Sequence, residues 1–142
     1  MYGALDISTS GMTAQRARIE AIAANIANKD AILDSGGELS PYRARRVFFA
    51  PGDPSAKTAA GRALGVHVSR IELDQSPVSW KHDPDNPYAA KSGPRAGYVP
   101  EPSVDPVFEQ INAMEAARAY EANVVAAEAT KAMTAQALRL LA

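Results

Sequence analysis

Asp105–Ala142 reads DPVFEQINAMEAARAYEANVVAAEATKAMTAQALRLLA, and after Pro106 it contains neither proline nor glycine. Asp105 has a side chain suited to accept from the free N–H groups of a first helical turn, and Pro106 follows where a missing N–H costs nothing. A helix is therefore predicted from Pro106 to Leu141. At ~1.5 Å per residue it runs roughly 55 Å, whereas a compact domain of this length is only about 37 Å across. Two stripes of short apolar side chains run along it. One is Ala113, Ala117, Tyr120, Val124 and Ala127; the other is Ala122, Val125, Ala129, Ala132 and Leu140. Two stripes call for at least two packing partners, and alanine lets helix backbones come close.

Working outward, a second helix is predicted from about Ala4 to Ala27, where Leu5, Met12, Ile19 and Ile26 recur every seven residues with Ile22 between the last two. It can cover only one of the two stripes. Asn25 and Asn28, with Lys29 and Asp30, mark the end of that helix, and DSGGE (Asp34–Glu38) is turn chemistry. The two asparagines have two readings. They are solvent-facing amides at a helix end, or at least one bonds across a subunit boundary and sets register.

The helix breakers are segregated. All ten prolines lie between Pro41 and Pro106, and seven of the nine glycines lie between Gly36 and Gly97. That middle stretch predicts short strands joined by turns. Val47 and Phe49 follow Arg43 and Arg45 at strand spacing before PGDP (Pro51–Pro54) stops the run. Val66 and Val68 alternate, but Ile71 and Leu73 are out of step by one, so a bulge near Ser69 and Arg70 is expected. Val78 and Trp80 form a third short strand. Residues 82–103 hold seven prolines and glycines without a sustained period and predict an extended arm with turns. The fold class is thus α+β, divided as 1–33 for the first helix, 34–104 for the β-rich segment and arm, and 105–142 for the last helix.

With 142 residues, 46% of them hydrophobic, the chain suits one ordinary domain. The net charge of −1 gives no bulk attraction to nucleic acid or to an anionic membrane, and no segment is apolar enough to span a bilayer. The absence of cysteine excludes disulfide and thiol chemistry. The N-terminus lacks a basic start followed by an apolar run, so no Sec-type signal is expected, which taken alone points to the cytoplasm. His67 sits among alternating valines and is expected to face solvent in a structural role. His82 with Asp83 and Asp85 suggests a metal site but lacks ligands on rigid elements. Arg43, Arg45 and Arg46 beside Tyr42 fit a charge-guarded strand edge better than a nucleic-acid strip. No nucleophile sits beside a base and no glycine-rich loop opens a helix, so neither an enzyme nor a cofactor is expected.

SGMTAQRARIEAIAANIAN (Ser10–Asn28), ending in two asparagines three apart, resembles the N-terminal signature of the bacterial flagellar rod and hook axial proteins. ARAYEANVVAAEATKAM (Ala117–Met133) resembles their C-terminal helix. Between them PYRARRVFF, GVHVSRIELDQSPV, HDPDNPYA and GYVPEPSVD follow in order the pattern of the proximal rod subfamily of the C type. Pro102-Ser103-Val104 and His82-Asp83-Pro84 depart from its P-N-V and Y-D-P.

The resemblance implies that the terminal helices pair as an antiparallel coiled coil near the axis of a helical tube, with neighbouring subunits covering the remaining stripe. It implies a structural rod subunit that assembles with copies of itself and other rod proteins. It further implies contacts with adaptors at the rod base and rings and with the flagellar export apparatus, and a periplasmic location without membrane insertion. The expected interface residues are Leu5, Met12, Ile19, Ile22, Asn25, Ile26 and Asn28 on the first helix. On the last they are Tyr120, Ala122, Asn123, Val124, Val125, Ala129, Met133 and Leu140. A soluble coiled-coil adaptor is the alternative, and it has no need of a proline-rich arm.

Overall fold

The computed structural model describes residues 2–141; Met1 and Ala142, the outer ends of the expected helical segments, lie outside it. The elements are α1 (Tyr2–Ala27), β1 (Arg45–Pro51), α2 (Ala59–Leu64), β2 (Val66–Leu73), β3 (Ser79–His82), β4 (Tyr98–Glu101) and α3 (Pro106–Leu141). The class is α+β, with long helices at both ends and two small antiparallel sheets, β1–β2 and β3–β4. Among the described residues no helix is long and apolar enough to cross a membrane.

α3 begins where its sequence dictates. Asp105 Oδ1 accepts from Val107 N at 2.9 Å, and the helix then runs 36 residues without a break. It packs along α1 in the opposite direction: Gly11 lies against Asn123, while Arg18 reaches Asn112 at 3.2 Å and Glu115 at 3.3 Å. The seam is made of small residues. A Cβ on Gly11 would sit 2.6 Å from Asn123 Oδ1, so only glycine admits that amide.

The central elements hang from α1 by three side-chain oxygens, each accepting a backbone N–H. Asp6 Oδ2 takes Thr58 N at 3.0 Å, just ahead of α2; Ser10 Oγ takes Val66 N at 3.0 Å, where β2 begins; and Asn25 Oδ1 takes Arg45 N at 2.7 Å, where β1 begins. Asn25 is 1% exposed and makes two further bonds, donating to Arg45 O at 3.0 Å and accepting from Tyr42 OH at 3.1 Å. Its amide acts as a neighbouring strand would, pairing both backbone groups of Arg45.

The expected bulge is present. Phe48 pairs with Arg70 and Phe49 with Val68, leaving Ser69 as the extra residue. That shift sets Val66, Val68, Ile71 and Leu73 opposite Pro51, Phe49, Val47 and Arg45, on one face of the ladder. The face is covered only where it meets α1: Val66 and Val68 are half-buried, while Ile71 and Leu73 are exposed.

Two elements differ from the sequence expectation. α2 was hidden behind the PGDP turn, although Thr58 is a good cap whose Oγ1 accepts from Gly61 N at 3.1 Å. Residues 82–103 contain β4, which pairs with β3 so that Trp80 lies opposite Pro100 and His82 opposite Tyr98. A two-stranded ladder leaves one edge of each strand free, so Pro100 removes no bond by lacking an N–H. The loop between the strands closes on itself through Asp83 N to Gly97 O at 2.9 Å and Gly97 N to Ala90 O at 2.9 Å.

Candidate subunit interface

The α1-facing side of α3 is centred on Ala116, which is fully buried. Val107 and Val125 each stand nine residues away, about two and a half turns at ~3.6 residues per turn, and so on the opposite side. Around them Ile111, Met114, Ala122, Ala129, Ala132 and Leu140 continue an outward apolar stripe, and every one is exposed. Arg118 and Gln136 are its polar interruptions. Among the described residues nothing covers this side, whereas Ala113, Ala117, Val124 and Ala127 of the other stripe are half-buried toward α1. Tyr120, counted with that inner stripe, is 37% exposed at its border.

The expected interface residues do not share one surface. Ala122, Val125, Ala129, Met133 and Leu140 lie on the exposed side of α3, while Asn123 and Val124 are half-buried toward α1. Leu5, Met12, Ile19 and Ile26 are half-buried along a flank of α1, beside the deepest positions rather than at them. Those deepest positions are Ser8, Ser10, Gly11, Ala14, Ala21, Ile22 and Asn25. Ile22 and Asn25 therefore belong to the subunit interior, and Asn25 in particular is occupied by Tyr42 and Arg45 of its own chain. Asn28 donates to Ala24 O at 2.8 Å and finishes α1 locally.

Val107, Phe108, Ile111, Met114 and Leu138 are exposed and were not among the expected interface residues. For Val107, Ile111 and Met114 the signal was present: stepping back from Val125 by three and four residues reaches Ala122, Arg118, Met114, Ile111 and Val107.

The polar candidates do other work. His67 is half-buried rather than solvent-facing, with Nδ1 2.6 Å from Gly52 O, so that nitrogen carries the proton and fixes the turn after β1. His82 stands edge-on to Tyr98 at 5.0 Å between ring centres. Arg46 meets Asp74 at 2.6 Å, and Arg43 Nη1 donates to Asp74 O at 2.9 Å, so these arginines tie β1 to the end of β2. Hydrogen bonds from the Ser76 hydroxyl and backbone hold the Asp74 carboxyl below its ordinary value, with Arg46 adding to the effect. Ser55 does the same for Asp53, helped by His67. Among the described residues no group of His, Asp and Glu is arranged to hold a metal ion.

Two long end helices with an unpartnered outer face are the parts that family profiles match. Residues 5–30 match the flagella basal body rod protein profile, and residues 95–140 match the C-terminal profile of the flagellar basal body rod FlgEFG proteins, which places the chain in the flagellar axial class. Full-length comparison is narrower. The chain is 37% identical to the flagellar basal-body rod protein FlgC of Borreliella burgdorferi, over 99% of this chain and 97% of the relative. It is 36% identical to that of Bacillus subtilis over 98% and 97%, and 38% identical to that of Escherichia coli over 95% and 93%. The chain belongs to the FlgC family of flagellar basal-body rod proteins.

Proposed function

We propose that this chain is a structural subunit of the flagellar basal-body rod, polymerising with copies of itself and related rod proteins into the shaft that carries torque across the periplasm. The observation that carries the reading is surface area. The chain exposes 9594 Å² for 15.0 kDa, about 2,500 Å² more than a compact monomer of that mass, and a standard interface takes about 800 Å² from each partner. The excess matches about three such contacts. The apolar outer side of α3, with Val107, Val125 and Leu140 more than 60% exposed, is part of that surface and would otherwise be wetted.

In this reading α1 and α3 form the coiled-coil unit nearest the tube axis, with residues 1–33 and 105–142 as axial segments and 34–104 as the outer body carrying the arm. Neighbouring helices pack on Ala122, Val125, Ala129 and Leu140, and on the flank formed by Leu5, Met12, Ile19 and Ile26. Adaptors at the rod base and rings, and the flagellar export apparatus, are the remaining partners, with delivery to the periplasm independent of a Sec signal.

Enlarging the alanines tests this reading. Ala122→Leu or Ala129→Leu would hold neighbouring helices apart at a cost of about 1–3 kcal/mol per contact, repeated at every subunit. The expected result in cells is folded, exported subunit without completed rods. Normal rods at normal subunit levels would mean that this side of α3 faces solvent and would overturn the proposal.

A further inference from the structure

The two long helices are held in different ways. α1 packs on α2, β1 and β2 as well as on α3, and the bonds from Asp6, Ser10 and Asn25 join it to those three elements. Glycines draw α2 in closely: a Cβ on Gly3 would meet Ala60 Cβ at 2.6 Å, and one on Gly61 would meet Asp6 Cβ at 2.7 Å. α3, by contrast, packs along α1 and along no other element.

The first turns of α3 stand clear of the central body. A cleft of about 360 Å³ opens between Phe108, Glu109 and Asn112 on one side and Arg45, Arg46 and Asp74 on the other. A second, of about 560 Å³, opens between the link ahead of α3 and Lys29, Asp30 and Ser79. That link is short. Pro102 is buried on the body side, Ser103 and Val104 make no backbone hydrogen bond among the described residues, and Asp105 bonds forward into α3.

The seam on which α3 depends is thin. Ala116 is the only fully buried residue of α3 among those described, and Ala113, Ala117, Val124 and Ala127 beside it are short, so little apolar area is covered per contact. The seam also traps a polar atom. Gln15 lies four residues after Gly11 and three before Arg18, both of which touch α3, and its Oε1 is buried with no hydrogen-bond donor. An unpaired buried acceptor opposes closure, and water satisfies it once the seam opens.

We infer that α3 opens from α1 as a hinged arm, turning about Ser103–Asp105, while α1 stays folded on the central body. The open chain presents the α1 side of the seam, Gly11, Gln15, Arg18 and Ile22, to solvent. A helix parted from its packing partner is only marginally held, so opening appears as lost amide protection along α3. Such opening belongs to the free chain and goes beyond the rod reading without depending on it.

Hydrogen exchange on the full chain, kept dilute enough to remain unassembled, tests this. Protection across residues 109–130 is expected to be about tenfold lower than across residues 8–25. Equal protection of the two helices, or weaker protection of α1, overturns the inference. Gln15→Met removes the trapped acceptor and should raise protection of α3 about tenfold; no rise overturns the inference. Arg18→Ala removes the bonds to Asn112 and Glu115 and should lower protection of α3 about fivefold, while the Arg45 and Val66 amides held by Asn25 and Ser10 keep theirs. Loss at those two amides in step with α3 would mean that the helices open together, and overturns the inference.

Discussion

Replacing Asn25 with alanine removes three hydrogen bonds from a side chain that is 1% exposed: two to the backbone of Arg45 and one from the Tyr42 hydroxyl. Each buried group left unpaired costs about 1–3 kcal/mol. Tyr42 is half-buried and Arg45 exposed, so water recovers part of this, and a net loss of about 2–4 kcal/mol is expected. Asn28, three residues on, makes a single bond to the carbonyl of the preceding turn, and Asn28→Ala should cost about 0.5 kcal/mol or less. In urea, with a slope of ~1–3 kcal/mol per molar, the first change should lower the midpoint by roughly 1–2 M and the second barely move it. Amide exchange adds a local readout. The Arg45 N–H should lose protection in Asn25→Ala while the ladder bond from Asp74 N to Ala44 O keeps its own. Equal midpoints for the two variants, or an Arg45 amide that stays protected, would refute the role given to Asn25.

Gly11→Ala should destabilise the chain by about 1–3 kcal/mol, because the new Cβ would lie 2.6 Å from Asn123 Oδ1. Adding Asn123→Ala should recover part of that loss in a double-mutant cycle, and additive effects would show that the two do not meet. The Asp74 carboxyl, held below its ordinary value chiefly by Ser76, supplies stability that is present above the unfolded carboxylate range near 4 and lost as pH falls through the lower folded value. Wild type should therefore exceed Asp74→Asn in urea midpoint at pH 7, with the gap closing in strong acid; a gap that widens on acidification would reverse the sign.

Sequence showed the ends of this fold better than its seams. Asp105 and Pro106 located the start of α3, and its outward stripe was readable because Val125 and Leu140 lie in step with alanines. The α1–α3 seam was not, since hydrophobic periodicity picks out Leu5, Met12, Ile19 and Ile26 while the closest approach uses Gly11 and neighbouring small residues. Small side chains pack deepest in such a seam and carry the weakest pattern. The partners of Asn25 were not legible for a related reason: an amide near a helix end looks the same in sequence whether it meets solvent, another chain or its own β1. β4 is hidden in the sequence because proline reads as a breaker, whereas a free strand edge tolerates it.

The three bonds from Asp6, Ser10 and Asn25 to the backbone have a mechanical consequence. They span twenty residues of α1, about 29 Å of helix axis, and tie down the starts of α2, β2 and β1. A force that slides the outer body along α1 loads all three at once, so none can yield until the others have stretched. Fasteners in parallel resist shear far better than the same fasteners met one after another. The subunit is thereby stiff along the direction of its long helices, while β3–β4 takes no share of that load through these three bonds.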